Sequence, residues 1–193
     1  MLGFGKVTFQ LRINNDLNTR TIISSQSIPF GSAVPLGFRF NHTTGKAAIF
    51  INGIMDKEVN VGAGTLDKGG YRALIGKEDD SYPIRLKGSI ADFKVYNEAL
   101  DDGQMSTPDL PSRASLYLHY SLVSNNLSSA TVPDRSGNGH DGTVFYDEEN
   151  KGNFLLENVS GDYSFLMAVD GFWQRNPKSV HFSTGGINIG LLP

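Results

Sequence analysis

LGFRFNHTTGKAAIFING, residues 36–53, is the stretch that decides the fold class. Side chains alternate in size and polarity over Leu36–Phe40, and an apolar run follows at Ala47–Ile51. A polar turn sequence, residues 41–46, lies between the two segments, and the second one ends at Asn52-Gly53, a dipeptide typical of hairpin turns. The stretch therefore predicts an antiparallel β-hairpin.

The rest of the chain repeats this pattern of short apolar or alternating segments between turns. Val7–Ile13 alternates with period two, and Ser89–Tyr96 places Asp92 in mid-strand on the face opposite to Phe93. Only Asn97–Met105 is typical of a short helical turn. Further strands are predicted at Arg20–Ser24, Tyr71–Ile75, Leu116–Leu122, Gly142–Tyr146, Phe154–Glu157, Ser164–Val169, Ser179–Ser183 and Gly186–Ile189. About a dozen short strands with almost no helix predict an all-β fold, an antiparallel β-sandwich or jelly roll.

The composition excludes several classes of protein. The 193 residues include no cysteine, which excludes disulfides, thiolate catalysis and cysteine-ligated zinc or iron–sulfur centres. A formal net charge of −3 is unfavourable for binding nucleic acid, and no run approaches the roughly 20 apolar residues that span a bilayer. No signal peptide is visible at the N-terminus. Three explanations of this absence stay open: export by another route, a missing leader, or action where the protein is made.

Several stretches resemble the concanavalin A-like, laminin-G-like family of jelly-roll domains. Residues 44–53 match the family's hairpin pattern, and residues 86–101 match its closing pattern, which is the most specific match. Residues 134–143, DRSGNGHDGT, match a pattern that follows the family's opening strand, and residues 179–189 match a later pattern loosely. The matches cover most of the chain. The resemblance implies that residues 1–193 form one concanavalin A-like β-sandwich.

The order of these motifs departs from that of the family, because the closing motif comes first in the chain. Residues 1–105 would supply the later family strands, residues 106–115 a linker and residues 116–193 the earlier strands. Circular permutation of one domain and a fragment with halves of two tandem domains both give this order. We favour permutation, since the opening and closing strands are neighbours in the fold. A third possibility is that the last segment completes a neighbouring chain, which would give a strand-swapped oligomer.

The resemblance also implies a structural calcium ion near the first and last family strands. Residue by residue, it points to Asp134, Asn138 and Asp92, with backbone oxygens of residues 137–140. Calcium takes six to eight oxygen ligands, so these residue types suit it. The alternatives are that Asp134 caps an Asx turn and that Asp92 pairs with a lysine or arginine.

Trp173 is the only tryptophan, and Gln174, Arg175 and Asn176 follow it directly. An aromatic face beside planar hydrogen-bonding groups is what sugar recognition needs. These four residues are therefore the predicted ligand-binding site. The alternative is a partly buried tryptophan that closes the end of the sandwich or contacts another protein.

No catalytic motif is present in the sequence. The chain lacks the paired acidic residues that glycoside hydrolases of this fold carry on one strand, and it has no GxSxG, Walker or HExxH sequence. We therefore expect a protein that is not an enzyme.

Two functions from different classes remain. The first is a non-catalytic carbohydrate-binding or adhesion module, a lectin, as many relatives in the resembled family are. The second is a structural protein of a virus particle (capsid decoration, fibre or tail component) that contacts neighbouring subunits, including copies of itself. Either function would place the protein outside the cell, on a cell surface or in a virion. The apolar residues 187–193 favour the second because a partner would bury them, unless they pair with the strand that begins at Gly5. Fold alone does not decide between the two.

Overall fold

The computed structural model describes residues 5–28, 33–67, 75, 89–107, 114–122, 131–143, 163–170, 181–184 and 187–192. This part of the chain consists mainly of β-strands with one short helix, which confirms the all-β fold class. The strands are β1 (Gly5–Leu11), β2 (Arg20–Ile28), β3 (Val34–Asn41), β4 (Lys46–Ile51), β5 (Ile54–Asn60), β6 (Ser89–Tyr96), β7 (Leu116–Ser121), β8 (Thr131–Val132), β9 (Gly142–Thr143), β10 (Tyr163–Asp170), β11 (His181–Thr184) and β12 (Ile187–Leu192), and the helix is α1 (Asp102–Met105). No helix in the described part of the chain is long and apolar enough to cross a membrane.

The described strands pair antiparallel and form three sheets. A four-stranded sheet has the order β11-β12-β1-β2, a six-stranded sheet has the order β5-β4-β3-β10-β6-β7, and β8 pairs with β9 alone. Strands from late in the chain therefore lie among the early ones. β10 lies between β3 and β6, and β12 lies beside β1, with Leu11 opposite Ile187.

The hairpin predicted over residues 36–51 is present as β3 and β4. Leu36 pairs with Ile51 at one end, and Asn41 pairs with Lys46 at the other. Asn52 and Gly53 both have positive φ, 54° and 74°, as a type I′ hairpin turn requires. This turn connects β4 to β5, a strand that the sequence analysis did not predict.

Most of the other predicted strands are present with shifted ends. Seven predicted segments correspond to β1, β2, β6, β7, β10, β11 and β12. The helical turn predicted over Asn97–Met105 is present as α1, which is shorter than predicted. The strand predicted at Gly142–Tyr146 is described only as far as Thr143, in β9. The strands predicted at Phe154–Glu157 and Tyr71–Ile75 lie outside the described residues, apart from Ile75.

The main buried core contains side chains from both of the larger sheets. The rings of Phe9 in β1 and Phe38 in β3 lie with their centroids 5.4 Å apart. Because β1 belongs to the four-stranded sheet and β3 to the six-stranded sheet, this contact joins the two sheets. The same buried cluster includes Val7, Leu11, Ile22, Leu36, Phe40, Ile49, Phe93, Val95 and Leu118.

A second buried cluster lies on the opposite face of the six-stranded sheet, where residues 97–106 cross it. Asp101 begins α1 with a capping box, in which its side chain and that of Gln104 each accept a backbone N–H from the other residue. The apolar residues buried here are Ala48, Phe50, Tyr96, Leu100, Met105 and Leu116. The six-stranded sheet therefore has an apolar contact on both faces.

Candidate functional site

Residues 133–141 form a tight loop between β8 and β9. Gly137 and Gly139 have φ values of 88° and 78°, in the left-handed region that favours glycine. The loop rests on the buried ring of Tyr120, whose hydroxyl donates to the carbonyl of His140 at 2.6 Å. Burial, together with the charges of Asp134 and Asp141, raises the pKa of Tyr120, so this hydroxyl keeps its proton and acts as a donor.

The carboxylate of Asp134 is the centre of this loop. Oδ1 accepts the backbone N–H groups of His119 at 3.0 Å and Ser136 at 2.9 Å. Oδ2 accepts the Ser136 hydroxyl at 2.7 Å and the backbone N–H of His140 at 3.1 Å. Burial alone would raise the pKa of Asp134, but these hydrogen bonds, the Ser136 hydroxyl first among them, lower it below its usual value. A carboxylate has about four acceptor positions, so four donors occupy this one fully.

The side chain of Asn138 uses its nitrogen rather than its oxygen for the contacts described. Nδ2 donates to the carbonyls of Leu116 and Tyr117, both at 2.9 Å, and lies 3.1 Å from the Ser136 hydroxyl. Asn138 therefore attaches the loop to strand β7.

Asp92 forms the centre of a second polar group, on the outer face of β6 and β7. Lys94 lies opposite His119 in the register of these strands. The carboxylate of Asp92 binds Lys94 Nζ through Oδ2 and His119 Nε2 through Oδ1, each at 2.8 Å. Lys94 is only 6% exposed, whereas the side chains of Asp92 and His119 are 28% and 21% exposed. We call Asp92, Lys94 and His119 the polar triad.

An aromatic pair lies where the loop at residues 133–141 meets strand β7. Tyr117 in β7 is partly buried and packs against the main core. The ring of Tyr117 lies 4.5 Å from that of His140, with an angle of 30° between the planes. Tyr117 is partly exposed, so part of this ring is open to solvent.

The contacts that the structure describes at the three predicted calcium ligands are hydrogen bonds and an ion pair. Four hydrogen-bond donors surround the carboxylate of Asp134, and Asn138 turns its nitrogen to the strand. Asp92 has the ammonium group of Lys94 at 2.8 Å, which repels a cation. These contacts are the Asx turn and the lysine pair that the sequence analysis gave as alternatives. No group of three or more acidic or histidine side chains placed to hold a metal occurs among the described residues, and calcium binding by the protein stays a prediction.

The structure nevertheless brings the three residues into one region. His119 connects them, because its backbone N–H binds Asp134 and its ring binds Asp92. Neither His119 nor Lys94 was among the site residues predicted from the sequence. Alternation over residues 92–94 placed Asp92 and Lys94 on one face, but the β6–β7 register that adds His119 is not visible in the sequence.

The predicted ligand-binding residues Trp173, Gln174, Arg175 and Asn176 lie outside the described residues. Their role in sugar binding stays a prediction. The geometry of the candidate site is therefore that of the polar triad and the loop at residues 133–141.

No model of a known protein family matches the chain, and no curated protein or solved structure matches it at a significant level. The resemblance to concanavalin A-like domains therefore stays an expectation from the sequence motifs.

Proposed function

We propose that the protein is a non-catalytic binding module of the β-sandwich type, with permuted strand order, and that its ligand is a carbohydrate. Two observations favour the sandwich: the larger sheets share one core through Phe9 and Phe38, and β12 lies beside β1, as permutation requires. Such a module would act outside the cell, on a cell surface or in a virion.

The observation that carries the ligand class is the unused acceptor capacity of Asp92. Among the described residues, each of its carboxylate oxygens has one partner, Lys94 or His119, although a carboxylate offers about four acceptor positions. Asp92 is also partly exposed, whereas the carboxylate of Asp134 is filled. Asp92 can therefore accept hydroxyl donors from a ligand while its two partners hold it in one orientation.

The charges of the polar triad favour a neutral ligand. The buried ammonium of Lys94 disfavours a cation at Asp92, and the carboxylate itself disfavours an anion. A neutral ligand rich in hydroxyl groups meets neither repulsion. A sugar has such groups, and it binds planar polar side chains through them.

Tyr117 supplies the second element of a sugar site. Sugars present apolar C–H faces, and an aromatic ring gives such a face a large contact area at a low entropic cost. The ring of Tyr117 contacts that of His140, with the centroids 4.5 Å apart. Tyr117 lies two residues from His119 on β7, so an aromatic ring and the partner of Asp92 belong to the same strand.

The experiment is a glycan-array screen of the wild-type protein, followed by affinity measurements on the best ligand. Replacing Asp92 with asparagine removes the charge and part of the acceptor capacity with little change of shape. We expect this change to weaken binding by about ten- to a hundred-fold, the cost of one hydrogen bond to a charged group. The matched control is Asp16→Asn, which changes a partly exposed aspartate in the β1–β2 turn and should leave the affinity unchanged.

A parallel variant, Trp173→Ala, separates the two candidate sites. Loss of binding in Trp173→Ala with full binding in Asp92→Asn would support a carbohydrate module and contradict the site at the polar triad. No glycan ligand at all would contradict the proposed function. In that event, a stable oligomer in light scattering would favour the structural role in a virus particle.

A further inference from the structure

Strand β7 is an edge of the six-stranded sheet, and residues 134–138 cover it. An edge strand presents N–H and C=O groups that a strand from another molecule can bind. Proteins avoid such pairing by covering, twisting or charging their edges. We call residues 134–138 the edge cap.

The edge cap engages the outward backbone groups of β7 from Leu116 to His119. Asn138 Nδ2 binds the carbonyls of Leu116 and Tyr117, and the Ser136 hydroxyl also donates to the Tyr117 carbonyl, at 3.0 Å. His119 donates its N–H to Asp134 Oδ1 at 3.0 Å and accepts the N–H of Arg135 at 2.8 Å. A further strand would use these same groups, so it cannot pair there while the cap is in place.

Four of the five contacts come from side chains of the edge cap rather than from the backbone of a neighbouring strand. The acceptor for the His119 N–H is a carboxylate oxygen, and the donors to the carbonyls are the amide of Asn138 and the hydroxyl of Ser136. The loop can therefore close the edge without offering a new edge of its own.

Two other described edges, β5 of the six-stranded sheet and β2 of the four-stranded sheet, contact each other. Asp56 in β5 accepts the backbone N–H groups of Ser25 at 2.6 Å and Gln26 at 2.9 Å, both in β2. These two edge strands, one from each sheet, thus satisfy each other. Within the described part of the chain, the edge cap is the segment that covers β7.

We infer that the edge cap prevents the chain from associating with a second copy of itself through β7. A second copy is the expected partner because every chain carries the same edge. Two such edges pair antiparallel about a twofold axis, which satisfies both copies equally. The residues assigned to calcium from the family resemblance, Asp134 and Asn138, then have a different role: they keep an edge strand closed.

The test is the solution mass of the Asp134→Ala/Asn138→Ala variant, measured by light scattering over a range of concentrations. We expect dimers to form at a concentration at least about ten-fold lower than for the wild type. The matched control is Asp16→Ala/Asn18→Ala. It removes the same two residue types from another Asx turn, in which Asp16 accepts the N–H of Asn18 at 2.9 Å, in the turn between β1 and β2.

A folded double variant whose mass matches that of the control would overturn the inference. If the double variant does not fold, the Asp134→Asn variant is tested instead, because this change preserves the shape of the side chain. We expect its His119 amide to exchange hydrogen at least about ten-fold faster than in the wild type and its dimers to form at lower concentration. Unchanged exchange and unchanged mass in that variant would also overturn the inference.

Discussion

Replacing Arg39 with alanine is expected to lower the free energy of unfolding by about 3 kcal/mol. Its side chain is 12% exposed and donates to the carbonyl of Leu100 at 2.9 Å. It also pairs with Asp102 at 2.7 Å and Glu58 at 3.1 Å, and it lies 5.0 Å from the ring of Phe50. Arg39 thus attaches the segment that carries α1 to the six-stranded sheet. Chemical denaturation with circular dichroism measures the effect.

The control for this variant is Arg12→Ala. Arg12 is exposed, and its side chain makes one long hydrogen bond to Thr19, at 3.4 Å. The expected loss is below about 0.5 kcal/mol. Equal losses for the two arginine variants would contradict the role assigned to Arg39.

The effect of Arg39→Ala should also depend on pH. Hydrogen bonds from Lys46 and Arg39 lower the pKa of Glu58. A carboxylate with a lowered pKa in the folded state stabilises the protein above its unfolded-state pKa, and this contribution is lost as the pH falls through the folded-state value. The stability difference between wild type and variant should therefore shrink in acid.

Replacing Phe38 with alanine is expected to cost about 3–5 kcal/mol, the usual loss for a fully buried phenylalanine. Phe38 has no exposed surface, and its ring contacts Phe9 across the two sheets. The variant would leave a cavity where the inner faces of the sheets meet. Denaturant unfolding measures the loss.

A double-mutant cycle on Phe9 and Phe38 tests whether this contact joins the sheets. Leucine at each position keeps most of the apolar volume and removes the ring–ring interaction. We expect a coupling of about 0.5–1.5 kcal/mol between the two changes. Additive effects would mean that the rings do not contact each other in solution.

The alternation of apolar and polar residues, together with turn residues, was sufficient to predict strands that bury one face. Leu36–Phe40 and Ser89–Tyr96 both have the period-two pattern, and both are strands. Strand β5, Ile54–Asn60, was not predicted because its residues are all exposed or only partly buried. A partly solvated edge strand carries charges in place of an apolar stripe, and its sequence resembles that of a loop.

Sequence order alone does not specify which strands are neighbours. The pairing of β10 with both β3 and β6 brings together segments that are far apart in the chain. The candidate site depends on the same information. Lys94 and His119 meet only because β6 and β7 pair in one register, and a shift of one residue would place His119 on the core face.

The environment of Asp134 shows a second limit. The motif DRSGNGHDGT predicted a turn with oxygen-bearing side chains, which suit calcium and an Asx turn alike. What decides the geometry is the position of His119 and Ser136, whose N–H groups point at the carboxylate. That arrangement depends on where the loop docks against β7.

The permuted fold depends above all on the pairing of β12 with β1, the last and first described strands, within the same molecule. Gln10 and Asn188 lie directly opposite each other in β1 and β12, at a separation that a disulfide can span. The chain has no cysteine, so a Gln10→Cys/Asn188→Cys variant has a single possible pair within each molecule. After mild oxidation, we expect both free thiols to be lost and the protein to migrate with the mass of a monomer in non-reducing electrophoresis. Disulfide-linked dimers or persistent free thiols would contradict the account.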